Sequence, residues 1–234
     1  MDKFMNHEGF SGKAQAYAAA RPGYPDAAIE YIRSLVPSTA VFADIGAGTG
    51  KFTELVAQYG YIIFAVEPNA DMREQLAITL AVYHNAKIIS SAAENTTLPD
   101  QSVDIIVCSQ SLGWLNLELF RAECNRIGKS GATIVSLFNE TPGDAPNLSS
   151  HRYTSRQASE LFFCNPTIQE YSNPVFYTKE RWFQMKASIS DNPKPSEPEY
   201  DRHIIQLNDI FDRNNIDGLI RMDFTTIVYS EKLK

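Results

Sequence analysis

The sequence predicts an α/β protein built on an open, mostly parallel sheet with helices on both faces. Three observations carry this expectation. Val41–Ile45 is a short, uninterrupted and mostly apolar run, as a strand covered on both faces should be. It passes through Gly46-Ala47-Gly48-Thr49-Gly50 into Phe52, Leu55, Val56 and Tyr59, the i, i+3, i+4, i+7 stripe of a helix. Strand-like runs at 61–66, 87–90, 103–108 and 132–138 then alternate with helical patterns, which argues for parallel strands. After Asn139 the pattern changes, and two late strand-like runs, 168–177 and 222–231, are expected to pair antiparallel at one sheet edge. The sheet then has seven strands, the last antiparallel.

In chain order, the alanine-rich stretch from Ala14 is helix-friendly and is stopped by Pro22 and Pro25. A helix from Asp26 carries Ile29, Ile32, Leu35 and Val36 on one face and ends at Pro37. Gly60 closes the helix that follows the glycine turn. Asn69 is the N-cap of a helix with Met72, Leu76 and Leu80 in one stripe. Leu117, Phe120, Cys124 and Ile127 mark another helix, capped by Gly128. Helices are further expected at about 150–163, after Thr178 with Trp182, Phe183 and Met185, and over 200–214. The proline-rich stretch 191–198 is a surface connection, too short to separate two cores. The chain is expected to be one domain over 1–234. Its first 25 residues or so would form a covering segment, and residues from about 141 to 215 a small cap insertion near the C-terminal half.

Bulk properties narrow the classes. The 234 residues are 44% hydrophobic, ample for a core, and the formal net charge of −7 disfavours a general nucleic-acid surface. No stretch of about 18 apolar residues suggests a membrane span, and the N-terminus has no apolar signal core. Cys108, Cys124 and Cys164 are widely spaced and odd in number, which fits reduced thiols and a cytoplasmic setting. No His/Cys/Asp/Glu spacing suggests a metal site.

The glycine turn decides the ligand class. A dinucleotide fingerprint needs a third glycine where Lys51 stands. A phosphate loop needs a glycine where Ile45 stands and a hydroxyl residue where Phe52 stands. What is present is Asp44-Ile45-Gly46-x-Gly48-x-Gly50, an acid ending a strand followed by alternating glycines. Glu67 ends the next strand about 20 positions on, where nucleoside-binding α/β folds accept from the ribose hydroxyls.

This pattern resembles motif I of the class I S-adenosylmethionine-dependent methyltransferases, and with it the fold is expected to be Rossmann-like. The order Phe10-Ser11-x-Lys13-x-x-x-Tyr17-x-x-x-Arg21-Pro22-x-Tyr24-Pro25 resembles the opening of the type 11 methyltransferase superfamily, particularly the branch with trans-aconitate-type small-acid enzymes. The resemblance implies S-adenosyl-L-methionine as cofactor and S-adenosyl-L-homocysteine as product. It implies that Asp44, Gly46, Ala47, Gly48 and Gly50 hold the methionine half. Glu67, Pro68 and Met72 would hold the ribose and touch the adenine, and Ala93 with Glu94 would meet the adenine amino group. Tyr17 and Arg21 would lie near the cofactor carboxylate or the substrate. The run Ser109-Gln110-Ser111-Leu112-Gly113-Trp114-Leu115-Asn116 resembles the family's Q-A-x-H-W-x-D, so that Ser109, Gln110 and Trp114 would face the cofactor. Gly113 stands where the family has histidine, and Asn116 where it has an acid. The loop between Ala93-Glu94 and Leu98-Pro99 is one residue longer than is usual in the family.

Methyl transfer is an in-line displacement in which alignment and exclusion of water do most of the work. No base is evident: His7, His84, His151 and His203 are isolated, and Tyr17 and His151 are the candidates. The expected activity is methyl transfer to a small-molecule acceptor, with no nucleic-acid or membrane partner and a monomeric or homodimeric state. Gly113 and Asn116 support the alternative of a cofactor-binding sensor or partner subunit without turnover.

Overall fold

The computed structural model describes residues 12–141, 153–189, 192–193 and 195–233. Seven strands form one sheet in the order β3-β2-β1-β4-β5-β7-β6. They are β1 (Val41–Ile45), β2 (Ile62–Val66), β3 (Ala86–Ile89), β4 (Val103–Ser109), β5 (Gly128–Glu140), β6 (Thr167–Thr178) and β7 (Leu219–Lys232). The first five are parallel, and β7 runs antiparallel between β5 and β6. The helices are α1 (Ala14–Ala20), α2 (Asp26–Ser34), α3 (Lys51–Ala57), α4 (Ala70–Thr79), α5 (Leu117–Ile127), α6 (Ser155–Phe162), α7 (Lys179–Ala187) and α8 (Tyr200–Asn214). This is the expected Rossmann-like sheet with its antiparallel end.

Period-2 alternation sorts the strand residues onto two faces. Phe42, Ile63, Ile105, Val107, Val135 and Leu137 pack under α2 and α3 with Ile29, Ile32, Phe52 and Val56. Ala43, Ile45, Ile106, Cys108, Ile134 and Phe138 pack under α5 and α6 with Phe120, Ile127, Ala158 and Phe162. The central strands are therefore apolar on both sides, as doubly covered parallel strands must be. β1 pairs with β2 on one side and β4 on the other, through Asp44↔Ala65 and Asp44↔Val107. The direction of chain winding reverses there, and such a switch point opens a crevice at the carboxyl ends of the strands.

The stretch after Asn139 divides. Helix α6 lies on the sheet, where Phe162 stacks on Phe120 of α5 at 5.5 Å between ring centroids. Helices α7 and α8 lie between β6 and β7 in sequence. They form a separate apolar cluster in which Tyr177, Trp182, Met185, Phe211 and Ile220 close around Ala20 of α1. The covering segment and the insertion thus share one small core. Gly128 caps α5 as expected but with an ordinary φ of −72°. A Cβ there would come within 2.5 Å of Leu233 Cδ1 and 2.8 Å of the Cys124 carbonyl, so close packing calls for glycine.

Candidate functional site

The three glycines after β1 are not equivalent. All have positive φ, +70° at Gly46, +58° at Gly48 and +90° at Gly50, where a side chain is strained. The Gly46 and Ala47 amides donate to the Val66 carbonyl at 2.8 and 3.0 Å, bolting the turn to β2. A Cβ on Gly46 would sit 2.6 Å from Ser111 Cβ, and one on Gly50 would sit 2.7 Å from Leu76 Cδ1 of α4. Both are closed in by protein. A Cβ on Gly48 would meet nothing within 4 Å. Gly48 alone of the three leaves the backbone bare toward open space.

Two buried carboxylates flank this opening. Glu67, 6% exposed, accepts from the Gly48 amide through Oε2 and from the Asn69 amide through Oε1, both at 2.8 Å. The Gly48 peptide is thereby oriented by the acid at the end of β2. Asp44, fully buried, accepts from Thr53 Oγ1 at 2.6 Å and from Ser109 Oγ at 3.4 Å. No ion pair of Asp44 occurs among the described residues. Burial pushes its carboxyl up to about 7, against the opposing pull of the two hydroxyls and with a further push from Glu67.

The N-terminal segment lies over this edge. Lys51, which opens α3, donates to the Ala18 carbonyl at 2.7 Å, and Asp71 of α4 accepts from the Gly12 amide at 2.7 Å. Lys13 donates to the Ile189 and Asn192 carbonyls at 2.6 and 3.2 Å, and Arg21 donates from Nε to Ser188 Oγ at 2.8 Å. Two cations therefore meet the carbonyls at the C-terminal end of α7, where the helix dipole favours positive charge. Arg21, expected at a ligand carboxylate, is engaged by α7 in this structure. Its guanidinium also lies 5.2 Å from the Tyr17 ring. Burial raises the Tyr17 hydroxyl, Arg21 opposes this and Glu67 adds to it, so Tyr17 sits between the two.

The ends of β4 and of the following loop complete the edge. Gln110 takes φ +60°, an uncommon conformation for a side chain of its size. Its amide is held by the Leu137 carbonyl at 2.8 Å. Ser111 Oγ donates to the Ile45 carbonyl at 2.5 Å, and Trp114 is half-buried in the short 3₁₀ turn Leu112–Trp114. Gly113 is packed against the chain entering α6: a Cβ there would lie 2.6 Å from the Tyr153 carbonyl. A side chain at this position would need that chain to move.

On the far side, Ala93 and Met72 are buried. Pro68 offers its carbonyl to Arg73 at 2.6 Å, and Glu94 accepts from the Asn116 amide at 2.9 Å, at the start of α5. Glu123 holds Thr96 by both its amide and its hydroxyl, at 2.8 and 2.6 Å. Arg126 reaches the Leu98 carbonyl at 2.7 Å. The longer loop is accommodated with Thr97 at φ +60°.

Asp44, Glu67 and Ser109, and the glycine turn, are brought to one edge of the sheet, with Tyr17 above it. His151 lies outside the described residues. Tyr24 was not singled out from the sequence, yet its hydroxyl hydrogen-bonds Ser109, and burial, Tyr17 and Asp44 raise it well above its usual range. Its only signal was its place in the Arg21-Pro22-Gly23-Tyr24-Pro25 run. No group of three or more His, Cys, Asp or Glu that could hold a metal ion occurs among the described residues. Nor is any of their helices long and apolar enough to cross a membrane.

The doubly wound sheet carries an acid-glycine turn after β1 and an acid after β2. Residues 43–136 match the family model described as a methyltransferase domain, type 11. The chain is 30% identical over 133 residues to an uncharacterized methyltransferase-like protein of Schizosaccharomyces pombe, covering 56% of this chain and 51% of that one. It spans about half the length of the curated relatives it matches. A structure from Anaeromyxobacter dehalogenans named as a type II methyltransferase superposes with a TM-score of 0.63 at 16% identity, covering 91% of this chain and 97% of that one. A Haemonchus contortus phosphoethanolamine N-methyltransferase, bound to phosphomonomethylethanolamine and S-adenosylhomocysteine, superposes at 0.58 with 14% identity, covering 94% and 56%. Over residues 43–136 the chain is similar to the methyltransferase domains of that type 11 family.

Proposed function

We infer that the protein transfers a methyl group from S-adenosyl-L-methionine to a small-molecule acceptor. The observation that carries this is the asymmetry of the glycine turn. Gly46 and Gly50 are closed in by Ser111 and Leu76, whereas a Cβ on Gly48 would meet nothing within 4 Å and its amide is held by Glu67. An elongated, cationic nucleoside ligand fits a bare peptide flanked by two acids. When bound, the cofactor supplies an activated methyl on a good sulfur leaving group. The chain's own part is binding, alignment and exclusion of water. Gly48 and Asp44 would lie along the methionine half, and Glu67 would accept from the ribose hydroxyls, which needs its oxygens to share or release the Gly48 and Asn69 amides. Ala93 and Met72 would border the adenine. Tyr17 and Trp114 would close the acceptor side, where the segment following Tyr153 occupies the space of the family's histidine.

Thermal-shift and calorimetric titration with S-adenosylhomocysteine should show binding that is lost in Gly48→Arg. No binding to the parent protein would overturn the reading. Methyl turnover against a broad metabolite panel, followed as S-adenosylhomocysteine release, separates an enzyme from a protein that binds the cofactor without turnover.

A further inference from the structure

The link between α1 and α2 is gripped from the sheet by one of its carbonyls. The Gly23 carbonyl accepts from Asn139 Nδ2 and from Asn173 Nδ2, both at 3.0 Å. A carbonyl oxygen can only accept, so both carboxamides must turn their nitrogens toward it. Asn139 Oδ1 then faces away from Gly23, and it accepts from Thr226 Oγ1 at 2.5 Å and from Asn173 Nδ2 at 3.2 Å. Thr226 Oγ1 in turn accepts from Asn173 Nδ2 at 3.2 Å. Every donor and acceptor in the group agrees with the others, so the three side chains support one arrangement.

The sheet register explains how residues this far apart meet. Asn139 of β5 lies opposite Thr226 of β7, and Asn173 of β6 lies opposite Phe224, two residues along β7. Side chains two apart on a strand share a face, so Asn139, Thr226 and Asn173 lie together on one face of three neighbouring strands. Gly23 itself stands at a joint. Just before it, Ala20 belongs to the apolar cluster of α7 and α8, and Arg21 Nε donates to Ser188 Oγ at 2.8 Å. Just after it, the Tyr24 ring meets Phe52 of α3 edge-on, at 6.4 Å between centroids. The grip on Gly23 is therefore placed where the covering segment passes from the insertion to the sheet.

Resting on the cofactor reading above, we propose that Asn139 and Asn173 are positioning residues for the methyl donor. By holding the Gly23 carbonyl they fix the root of α1, and with it Tyr17, over the glycine-turn edge. They act through Gly23 and not by touching the ligand. A cover already fixed in place need not be ordered when the ligand arrives, so the clamp adds to affinity by pre-organisation. Two donors on one carbonyl also back each other up. With one removed the other still holds the joint, and with both removed α1 is free to move with α7 away from the sheet. The bound cofactor then escapes faster, while its rate of entry changes little.

The test measures equilibrium affinity and dissociation rate for S-adenosylhomocysteine on the full chain, with hydrogen exchange and urea unfolding of each variant alongside. Asn139→Ala and Asn173→Ala should each weaken binding by about threefold, and the double variant by about tenfold or more, more than the product of the two. The loss should appear in the dissociation rate. Exchange should quicken over 14–25 in the double variant and stay unchanged in β1 and β4. Asn139→Asp keeps the shape of the side chain but at neutral pH can only accept, so it should bind no better than Asn139→Ala. Asn215→Ala, which removes a carboxamide donor from the Phe211 carbonyl at the far end of α8, is the control for stability and should bind like the parent. A double variant that binds like the parent, or an Asn139→Asp that does, would reduce the clamp to a stitch across the sheet edge and leave the proposed function standing. Weakened binding in Asn215→Ala that tracks its urea midpoint as the clamp variants track theirs would overturn the proposal in the same way. Failure of the parent protein to bind S-adenosylhomocysteine would overturn the proposed function and this inference with it.

Discussion

The glycine-turn edge and the α7–α8 insertion meet polar burial in different ways. At the edge most buried polar groups are paired: Glu67 takes two amides and Glu123 takes the Thr96 amide and hydroxyl, while Thr49 Oγ1 of the glycine turn is buried without a hydrogen-bond partner among the described residues. In the insertion, Tyr177 Oη, Trp182 Nε1 and His203 Nε2 are buried without a hydrogen-bond partner among the described residues. Buried orphans of this kind are costly, and the cluster that holds them is small. The edge is thus a rigid frame, whereas the insertion is a loosely satisfied body tied to the frame through α1. Within a rigid frame, single-atom intrusions should be expensive. At the insertion, losses should be modest and local.

The largest effect is expected at Gly46. Alanine there adds a Cβ 2.6 Å from Ser111 Cβ in a backbone with φ +70°, and Ser111 is itself fixed on the Ile45 carbonyl. Overpacking and strain together should cost about 3 kcal/mol in urea unfolding. Gly48→Ala, with φ +58° but open space, should cost only about 1 kcal/mol. Equal losses at the two positions would break the distinction between a packed and a bare glycine.

Asp44 gives the next effect, and it depends on pH. Its folded-state carboxyl, at about 7, lies above the ordinary 3.8. The folded protein therefore holds this proton more tightly than the unfolded chain. The resulting stability is fully present below about pH 4 and is lost as pH rises toward 7. Asp44→Asn cannot ionise and is spared that loss. Relative to the parent it should gain on the order of 3 kcal/mol between pH 4 and pH 8, read from urea midpoints at each pH. A difference that does not vary with pH would show that Asp44 is not the group that titrates.

These two positions also show what the sequence made legible. A strand, a glycine turn and a second acid are local demands of the backbone, so Asp44, the glycines and Glu67 could be read from spacing, as could all seven strands. Tyr24 could not, because its contact with Ser109 joins two segments 85 positions apart by residue number. Arg21 was read as a ligand contact because its type suits a carboxylate, but its contact with Ser188 spans 167 positions. The helices of the insertion were legible after Thr178 and over 200–214, but their packing partners were not. They pack by side-chain fit against α1, and no periodicity encodes which helix will meet which.

Gly113→His tests whether the missing family histidine is a simple substitution. The Tyr153 carbonyl 2.6 Å from the added Cβ is backbone, so the chain entering α6 must move. A loss of about 2 kcal/mol in urea unfolding is expected, with faster hydrogen exchange over 153–162. A neutral result would mean that this chain yields easily, and that the frame is softer on its acceptor side than at Gly46.

The smallest effect is expected at the clasp between the two regions. Ser188 Oγ accepts from Arg21 Nε at 2.8 Å and donates to the Met185 carbonyl at 2.6 Å, and the residue is fully buried. Ser188→Ala leaves Arg21 with its longer contact to the Ser188 carbonyl, at 3.4 Å, and leaves Lys13 on Ile189 and Asn192. One charge-assisted bond is lost and two cations still face the end of α7, so global stability should fall by only about 1 kcal/mol. The effect should be spatially confined. Amide exchange should quicken in α1 and α7 and stay unchanged in β1, β4 and the glycine turn, because local opening draws on the weakest contacts first. Exchange that quickens equally at β1 would instead make the frame and the insertion one cooperative unit, with α1 serving as an integral strut of the glycine-turn edge.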